Sequence, residues 1–391
     1  MTTTPTARRR IQRRANMASV LSHCTQSAQT ISELARLSDL TRPGAEAVVS
    51  DLKALGWISE TAPPDTLSSL GRPASYYHLA PSSGHVLAIS FGAHHIGVMT
   101  TTLNGEILTD YEESCQEETP TQQRLDRGIT LAKHAQEAAP GSTLICSVAT
   151  PGIVHDGTVT YFGGHGMPGW VGTNLASALS HALSTKTIVA GDCALGARGE
   201  SWKGAAAGLD NVLYILAGRR TGAAAVISGR VHGGFQGSAG LIGELPALQW
   251  RDLENECFAT HLYPKGQPPR VELFPAAQAG DQQALAAIDA YIDVLSLGTA
   301  AMILALAPQC VVLGGRFAAY SELIVPGLEE RLSQICPFMP TITASQLAGK
   351  EIILGAARYG LDAINDALAR LVHEADYFPS PTPGSLWEGE Y

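Results

Sequence analysis

Three apolar runs separated by turn residues define the stretch from Val86 to Leu108, which reads VLAISFGAHHIGVMTTTLNGEIL. Most positions in these runs are apolar or β-branched, and the interruptions fall at Gly92-Ala93 and at Asn104-Gly105. Runs of this length, bounded by glycine-rich and Asn-Gly turns, are typical of two consecutive β-hairpins. The stretch is therefore predicted to open a β-sheet.

The first 81 residues follow a different hydrophobic period, close to 3.6 residues, which is typical of amphipathic helices. In the last of these helices Thr41 is a suitable N-cap, Pro43 is tolerated in the first turn and Gly56 is a stop signal. The predicted elements are three helices, beginning at Ile11, Ile31 and Thr41, and two strands, Trp57–Thr61 and Ser75–Leu79. Three helices with a short turn between the last two, followed by a strand pair, indicate a winged helix-turn-helix domain.

Charge is divided unevenly between this head, residues 1–81, and the rest of the chain. The head has nine Lys or Arg and six Asp or Glu, a balance of +3, whereas residues 82–391 have seventeen and thirty, a balance of −13. A basic head on an acidic body indicates that only the head contacts a polyanion such as nucleic acid. The alternative is a solvated arm, because more than half of the positive charges of the head come from Arg8, Arg9, Arg10, Arg13 and Arg14.

Double-stranded operator DNA is the partner that the head predicts. In a helix-turn-helix domain the last helix enters the major groove with its N-terminal residues nearest the bases. Arg42 is then placed to contact guanine or phosphate and Glu46 to accept a hydrogen bond from cytosine. Ser50 and Lys53 are placed to contact the sugar-phosphate backbone of the DNA. Arg72, at the tip of the wing, is a candidate for the minor groove. A protein-interaction module is the alternative, since small winged domains also serve that role.

The sequence disfavours several other classes of protein. The longest uncharged apolar stretch, Val294 to Gly315, is interrupted by polar residues and by Pro308-Gln309, so it is predicted to be core and not a membrane span. The N-terminus lacks the apolar segment of a secretory signal, and a cytoplasmic location is expected. The seven cysteines are scattered without a Cys-x-x-Cys pair, which predicts reduced thiols and neither a disulfide framework nor a cysteine zinc site.

The order of motifs along the chain is similar to that of the ROK family, which groups transcriptional repressors and sugar kinases. The motifs are the head ending in Gly71-Arg72-Pro73, the sheet-opening hairpin, Val148-Ala149-Thr150-Pro151-Gly152, Gly166-Met167-Pro168-Gly169-Trp170 and Thr187-Ile188-Val189-Ala190-Gly191-Asp192. The resemblance implies a two-lobed α/β body of the ribonuclease-H-like, actin-like and sugar-kinase-like type, in a homodimer or higher homo-oligomer. The expected boundaries are a winged helix-turn-helix domain at 1–81, a first lobe at 82–192 with 353–377 packing back on it, a second lobe at 193–352 and a loose tail at 378–391.

Compared with the kinases of that family, the chain departs from the phosphate and sugar motifs. The departures are Ser90 and Ala93 in the first phosphate loop, Arg219 and Arg220 in the second, and Leu241 and Glu244 in the motif that holds sugar and zinc. They imply no kinase activity, no cofactor and no bound metal, since tetrahedral zinc needs four well-placed ligands. The two arginines attract an anion or decorate a surface turn, and the surface position is preferred. The alternative function is an ATP-dependent sugar kinase with an accessory head.

Asp192 is the carboxylate of most interest in the body. In the kinases of the family the Asp at this position is the general base that takes a proton from the sugar hydroxyl. Three roles are open here: general base, contact to a small-molecule effector, and N-cap of a helix over Cys193–Trp202. The other candidates for an effector cleft are Trp170, Gly166, His94, His95 and Glu244, whereas His232 and His261 are expected to be surface or hydrogen-bonded residues.

These motifs together predict a dimeric transcriptional regulator, a repressor, of sugar or related metabolism. Its kinase-like body is expected to sense a sugar, a sugar phosphate or another small molecule. A protein-interaction adaptor, indifferent to DNA and to salt, is the third hypothesis.

Overall fold

The computed structural model describes residues 5–62, 74–164, 166–218, 220–251, 253 and 273–387. These residues form an N-terminal head and a body with two five-stranded β-sheets. The predictions for Arg72, Arg219, Cys257 and His261 lie outside the described residues and stay predictions.

The head contains the three helices and the strand pair that the sequence predicts. Its elements are α1 (Pro5–Gln26), β1 (Gln29–Thr30), α2 (Ile31–Leu37), α3 (Arg42–Leu55), β2 (Ile58–Thr61) and β3 (Tyr76–Leu79). The Thr41 side chain accepts a hydrogen bond from the N–H of Gly44, and Gly56 ends α3 with a φ of 88°. Glycine adopts that conformation readily because it has no Cβ, so α3 begins and ends where predicted. β3 pairs antiparallel with both β1 and β2.

The first lobe is built on a mixed sheet that begins with the two predicted hairpins, which are confirmed. Its strands are β4 (His85–Phe91), β5 (His95–Thr102), β6 (Ile107–Ser114), β7 (Thr143–Thr150) and β10 (Thr187–Gly191), in the order β10-β7-β4-β5-β6. β7 is parallel to both β4 and β10. One face is covered by helices α4 (Thr121–Ala138) and α5 (Leu175–Leu183), and a small hairpin of β8 (Ile153–His155) and β9 (Thr158–Tyr161) follows β7.

The second lobe is built on the other mixed sheet. Its strands are β11 (Val212–Leu216), β12 (Gly222–Ile227), β13 (Arg230–Val231), β14 (Cys310–Gly314) and β15 (Thr341–Ala344), in the order β13-β12-β11-β14-β15. Its outer face packs against the helices α7 (Leu273–Gln278), α8 (Gln282–Leu306) and α9 (Ser321–Ile335). Because β11 and β14 carry apolar side chains on both faces, they are buried as central strands.

Two helices cross closely between the lobes. They are α6 (Asp192–Lys203), which follows β10, and α10 (Glu351–Glu374), which packs on β4 of the first lobe. A Cβ atom on Gly355 would lie 1.7 Å from the carbonyl oxygen of Leu195, and one on Gly199 would lie 2.0 Å from that of Glu351. Only glycine allows two helix backbones to approach this closely, so these two positions fix the crossing.

The head and the first lobe share one continuous hydrophobic core. The indole N–H of Trp57, in the head, donates a hydrogen bond to the carbonyl oxygen of Pro379 at 2.6 Å. The core also receives a short C-terminal helix, α11 (Pro383–Leu386). The buried side chains of this core include Val20, Leu52 and Trp57 from the head, Leu144 and Leu361 from the body, and Phe378, Leu386 and Trp387 from the C-terminal segment.

The prediction of a loose tail at 378–391 is wrong for the described residues 378–387. The side chains of Phe378 and Trp387 are buried, and the indole N–H of Trp387 donates to the carbonyl oxygen of Leu144 at 2.7 Å. Proline, serine and glycine dominate the composition of this segment, but its two aromatic rings bury enough apolar surface to order it.

Within the described ranges, one helix, α8, is long and apolar enough to span a membrane by length and composition. In its most apolar window 61% of the residues are buried inside the protein, against α7, α9 and the second sheet. This position agrees with the prediction that the stretch belongs to the core.

Candidate functional site: a cleft between the lobes

A cavity of about 470 Å³ lies between the two lobes, at the carboxyl ends of β7, β9, β10 and β11. Its lining segments include 151–153 and 161–164 from the first lobe, 191–194 at the start of α6, and 220–224, 240–241, 243–244 and 250–251 from the second lobe. The carboxyl ends of strands are where open α/β sheets commonly bind ligands. The volume is in the range of sites for small metabolites.

Asp192 lies in this cleft as the first residue of α6. Its Oδ1 accepts a hydrogen bond from the N–H of Cys193 at 2.7 Å. The predicted N-cap role is wrong in one respect, because the N-cap residue is Gly191. Burial raises the pKa of Asp192 from 3.8 to about 6, and the Cys193 N–H and the charge of Arg220 lower it only in part. Near neutral pH the carboxylate is therefore mostly ionised and lies against a ligand cavity.

Arg220 joins the two lobes at the cleft. Its Nη2 lies 3.2 Å from Oε1 of Glu117, in the segment before α4, and its guanidinium carbon lies 4.6 Å from the ring centroid of Phe162. The preferred prediction, that this arginine decorates a surface turn, is wrong. The turn after β11 points its side chain across the cleft, toward charge and an aromatic face in the first lobe.

Arg251 makes a second bridge between the lobes. Its Nη2 donates to the hydroxyl oxygen of Tyr161 at 2.8 Å and to the carbonyl oxygen of Gly163 at 3.3 Å, and it lies 3.2 Å from Oε2 of Glu244. Burial, and then the Glu244 carboxylate, raise the pKa of the Tyr161 phenol. Tyr161 therefore stays neutral and keeps its proton as a hydrogen-bond donor.

Leu241 and Glu244, the two residues that differ from the sugar and zinc motif of the kinases, both line the cavity. They lie on a single 3-10 turn, so one short segment presents a carboxylate and an apolar group to the same space. His232, expected to be a surface or hydrogen-bonded residue, is exposed and also lies at the edge of the cavity. Sequence reasoning missed Tyr161, Phe162 and Arg251 altogether. The signal that could have found the first two is a pair of aromatics followed by Gly163-Gly164 directly after a strand.

Trp170, in contrast, belongs to the core of the first lobe. It is buried, its indole N–H donates to Oγ1 of Thr150 at 2.8 Å, and its ring meets Phe91 edge-on at 5.4 Å. The prediction that Trp170 lines an effector cleft is therefore wrong, because its one polar atom is already satisfied within the lobe.

Gly166 and His94 lie around Glu117, the carboxylate that Arg220 reaches, and neither lines the cavity. Gly166 has a φ of 74°, and a Cβ there would lie 2.3 Å from Cγ of Glu117. Nε2 of His94 lies 3.8 Å from Oε1 of the same carboxylate. His95 packs its ring against the backbone of Gly92, and burial lowers its pKa. The predicted effector residues thus separate into two groups. Asp192 and Glu244 line the cavity, whereas Gly166 and His94 lie next to Glu117 and His95 next to Gly92.

Ser90 and Ala93 lie on either side of a turn whose backbone carbonyl groups accept hydrogen bonds from a buried arginine. Ser90 is buried in β4. Arg124, on α4, has no exposed surface, and its Nη1 donates to the carbonyl oxygens of Gly92 at 2.5 Å and Ala93 at 3.2 Å. It also donates to the carbonyl oxygens of Gln116 and Glu117. One guanidinium therefore fixes both the loop after β4 and the backbone of Glu117.

No group of three or more His, Cys, Asp or Glu residues suited to a metal ion occurs in the part of the chain that the structure describes. The cysteines in that part are free thiols, and five of the six are buried: Cys24, Cys115, Cys146, Cys310 and Cys336.

In sequence, this chain is similar to one protein family and to individual proteins. Residues 86–261 match the model of the ROK family. The xylose repressor of Caldicellulosiruptor bescii is 21% identical over 363 residues, 83% of this chain and 89% of that protein. A glucokinase of Halalkalibacterium halodurans is 27% identical over 192 residues, and the match spans 41% of this chain and only 58% of that enzyme.

Among solved structures, a ROK family transcriptional regulator, described as a homologue of the Escherichia coli MLC protein, superposes with a TM-score of 0.67. The two chains are 19% identical, and the superposition covers 93% of this chain and 100% of the other. At this identity the likeness shows the fold, a two-lobed actin-like and sugar-kinase-like body with mixed sheets. The sequence match to the ROK family model, at residues 86–261, falls on the part of that body that forms the cleft.

Proposed function

We propose that this chain is a sequence-specific DNA-binding transcriptional regulator, a repressor, with a winged helix-turn-helix head and a sensing body. The observation that carries the proposal is the exposed polar face of α3 on a basic head joined to a ROK body. In sequence, the match to the xylose repressor extends over 83% of the chain and the match to a glucokinase over 41%. In structure, the likeness to the regulator covers 93% of the chain and that to a glucokinase covers 71%. The presence and placement of the head therefore favour regulation over sugar phosphorylation.

The proposed DNA-reading residues of α3 share one side of the helix. Arg42, Glu46, Ser50 and Lys53 recur at a helical spacing and are all exposed. Arg42 pairs with Glu46 at 3.2 Å, and Lys53 pairs with Glu60 at 3.2 Å. Exposed pairs of this kind contribute about 1 kcal/mol or less, so bases and phosphates can replace them. The opposite side of α3 is anchored in the head by Ala45, Val48, Val49 and Leu52.

The proposed effector binds in the cleft between the lobes and is a sugar, a sugar phosphate or a related polar metabolite. Asp192 and Glu244 offer acceptors for hydroxyl groups, and Arg220 and Arg251 offer donors. The ring of Phe162 offers an apolar wall for a sugar face. A ligand shifts a conformational equilibrium only if it binds the two arrangements with different affinity. Residues from both lobes line this cavity, so lobe closure changes ligand contacts directly.

Arg72 remains the proposed wing contact to the minor groove.

We further propose a cytoplasmic location and a homodimer. Two heads about one helical turn apart would read the two halves of a palindromic operator. Dimers also explain how a change in lobe angle alters the spacing of two heads.

The test of DNA reading is selection from a pool of random duplexes, followed by affinity measurements on the enriched sequence. We expect one enriched motif with two related half-sites. Arg42→Ala should weaken binding to that motif by about 1–3 kcal/mol and relax the preference at one position. The matched control is Arg230→Ala, which removes an exposed arginine of the second lobe. Enrichment of no motif would contradict the proposal.

The rival function is tested by a coupled ADP assay with ATP and a panel of hexoses and amino sugars. We expect no sugar-dependent turnover, because Ser90, buried near the end of β4, stands where the kinases of the ROK family have an acid. Turnover that Asp192→Asn abolishes would instead support an ATP-dependent sugar kinase.

A further inference from the structure

The structure sorts the five N-terminal arginines into different roles. α1 begins at Pro5, so all five lie on a helix and not on a loose arm. Arg14 is only 6% exposed, and its Nε and Nη1 donate to the carbonyl oxygens of Val372 at 2.8 Å and Asp376 at 3.2 Å. Arg14 is therefore a structural residue that ties α1 to the end of α10.

Arg13 connects α1 to α3. Its Nε donates to Oδ2 of Asp51 at 2.9 Å. By helical spacing Asp51 lies at one edge of the exposed side of α3, and Arg42 and Lys53 lie toward the other edge. The N-terminal half of α1 therefore runs along one flank of the proposed DNA-reading surface.

Arg9 and Arg10 continue this flank. They precede Arg13 by four and three residues, so they lie on the same side of α1, about one turn or 5–6 Å away. Both are exposed, and the first turn of α1 contains no acidic residue. Within the described ranges neither arginine forms an ion pair with a carboxylate. Two guanidinium groups are thus presented to solvent beside α3, on a helix that Arg14 holds against the body.

We propose that Arg9 and Arg10 bind phosphate groups of double-stranded DNA that flank the base pairs read by α3. The inference rests on the proposed function and adds a second contact surface to it. Guanidinium groups suit phosphate oxygens because their donors match them in pairs. Contacts of this kind position the protein on the duplex and carry no sequence information. Because the two side chains project from a fixed helix, little backbone ordering opposes their binding.

The test is a salt titration of DNA affinity with the full chain, using the selected duplex and a shuffled duplex of equal length. Because the proposed dimer carries two heads, the double variant R9A/R10A should lower the slope of log K against log salt by about 3.6, or about 0.9 for each of the four phosphates that the dimer no longer neutralises. Affinity for the two duplexes should fall by the same factor. R9K/R10K should restore most of the slope, because charge determines it.

The matched control is K133A/R230A, which removes two exposed cations of the body. It should leave the slope unchanged within about 0.3, because phosphates that the body does not touch release no counterions. Hydroxyl-radical footprints should shorten at the outer flanks for R9A/R10A and keep their length for the control.

An unchanged slope and footprint in R9A/R10A, while the unaltered protein binds its selected duplex, would overturn this inference and leave the proposed function standing. A fall in affinity limited to the selected duplex would also overturn it, since that result assigns base reading to these arginines. If the unaltered protein selects and binds no duplex, the proposed function itself fails.

Discussion

The first lobe meets its two neighbours in opposite ways. Its boundary with the head is an apolar core that both parts share and that the C-terminal segment seals with Trp387. Its boundary with the second lobe is a polar cleft, bridged by Arg220 to Glu117 and by Arg251 to Tyr161. One boundary is built from buried rings and the other from charges at the rim of a cavity.

This difference indicates which parts move together. Apolar burial contributes about 25 cal/mol per Å², and a shared core opens only when much of it is exposed at once. Partly exposed ion pairs contribute about 1 kcal/mol or less each and exchange readily with water. We therefore expect the head and the first lobe to move as one unit and the second lobe to move against it. The close crossing of α6 and α10 at Gly199 and Gly355 lies between these lobes, where we expect the pivot of such a motion.

The largest expected effect comes from breaking the shared core with Trp57→Ala. Trp57 has no exposed surface, and its ring packs edge-on against Phe378 at 6.5 Å. The substitution should lower the free energy of unfolding by about 3–5 kcal/mol, because it leaves a large cavity and removes a buried hydrogen bond. Urea denaturation measures the change. The control is Phe338→Ala, at a side chain 88% exposed, which should shift stability by about 0.5 kcal/mol or less.

A decrease below about 1 kcal/mol for Trp57→Ala would contradict the shared core, given the usual range for buried aromatics. Two separate unfolding transitions in the unaltered protein, one for the head and one for the body, would contradict it as well.

A smaller effect of opposite sign is expected in the cleft from Asp192→Asn. The pKa of Asp192 is raised from 3.8 to about 6 in the folded protein. The protonated carboxyl therefore makes its full contribution to the free energy of unfolding below pH 3.8, and this contribution is lost as the pH rises through about 6. The asparagine side chain keeps an acceptor for the Cys193 N–H and does not ionise. The variant should be more stable than the unaltered protein by about 1–2 kcal/mol near pH 7.5, which is discounted from the full shift because Asp192 is partly exposed.

Denaturation at a series of pH values checks this prediction. The stability advantage of the Asp192→Asn variant should shrink as the pH falls from about 7 and vanish below about pH 4. A variant that is less stable than the unaltered protein at about pH 7.5 would show that the carboxylate stabilises the fold. The cleft would then contribute to stability, as the boundary between the head and the first lobe does.

The smallest effect on stability is expected from Arg220→Ala. Its ion pair with Glu117 is about one quarter exposed on each side, so its removal should lower the free energy of unfolding by about 0.5–1 kcal/mol. Hydrogen exchange in the segment 161–164 should nevertheless become faster, because that segment loses its cover. Arg220→Lys is the control that keeps the charge and removes the flat stacking on Phe162. A decrease above about 3 kcal/mol would mean that the bridge is structural.

The parts of the fold with local signals could be predicted from the sequence. Thr41 and Gly56 fix the two ends of α3 through capping and a positive φ, and both signals depend only on neighbouring residues. The hairpins from Val86 to Leu108 follow from turn residues and apolar runs in the same way. The C-terminal segment could not be predicted, because burial of Phe378 and Trp387 depends on partners more than 200 residues away.

The candidate site was harder to predict for the same reason. Asp192 and Glu244 were found through motifs, but Tyr161, Arg220 and Arg251 become a site only when three distant segments meet. Trp170 shows the opposite error. It lies in a family motif, yet its indole is satisfied by Thr150 within the first lobe, and no sequence pattern reveals that hydrogen bond.

The most direct test of this account is a pair of distance distributions between spin labels attached at single sites. One pair, at Ala47 on α3 and Lys133 on α4, spans the head boundary, and the other, at Lys133 and Gln334 on α9, spans the cleft; all three positions are exposed. We expect a narrow distribution across the head boundary that Arg220→Ala leaves unchanged, and a distribution across the cleft that the same substitution broadens or shifts. A head distribution that broadens while the cleft distribution stays fixed would contradict this expectation.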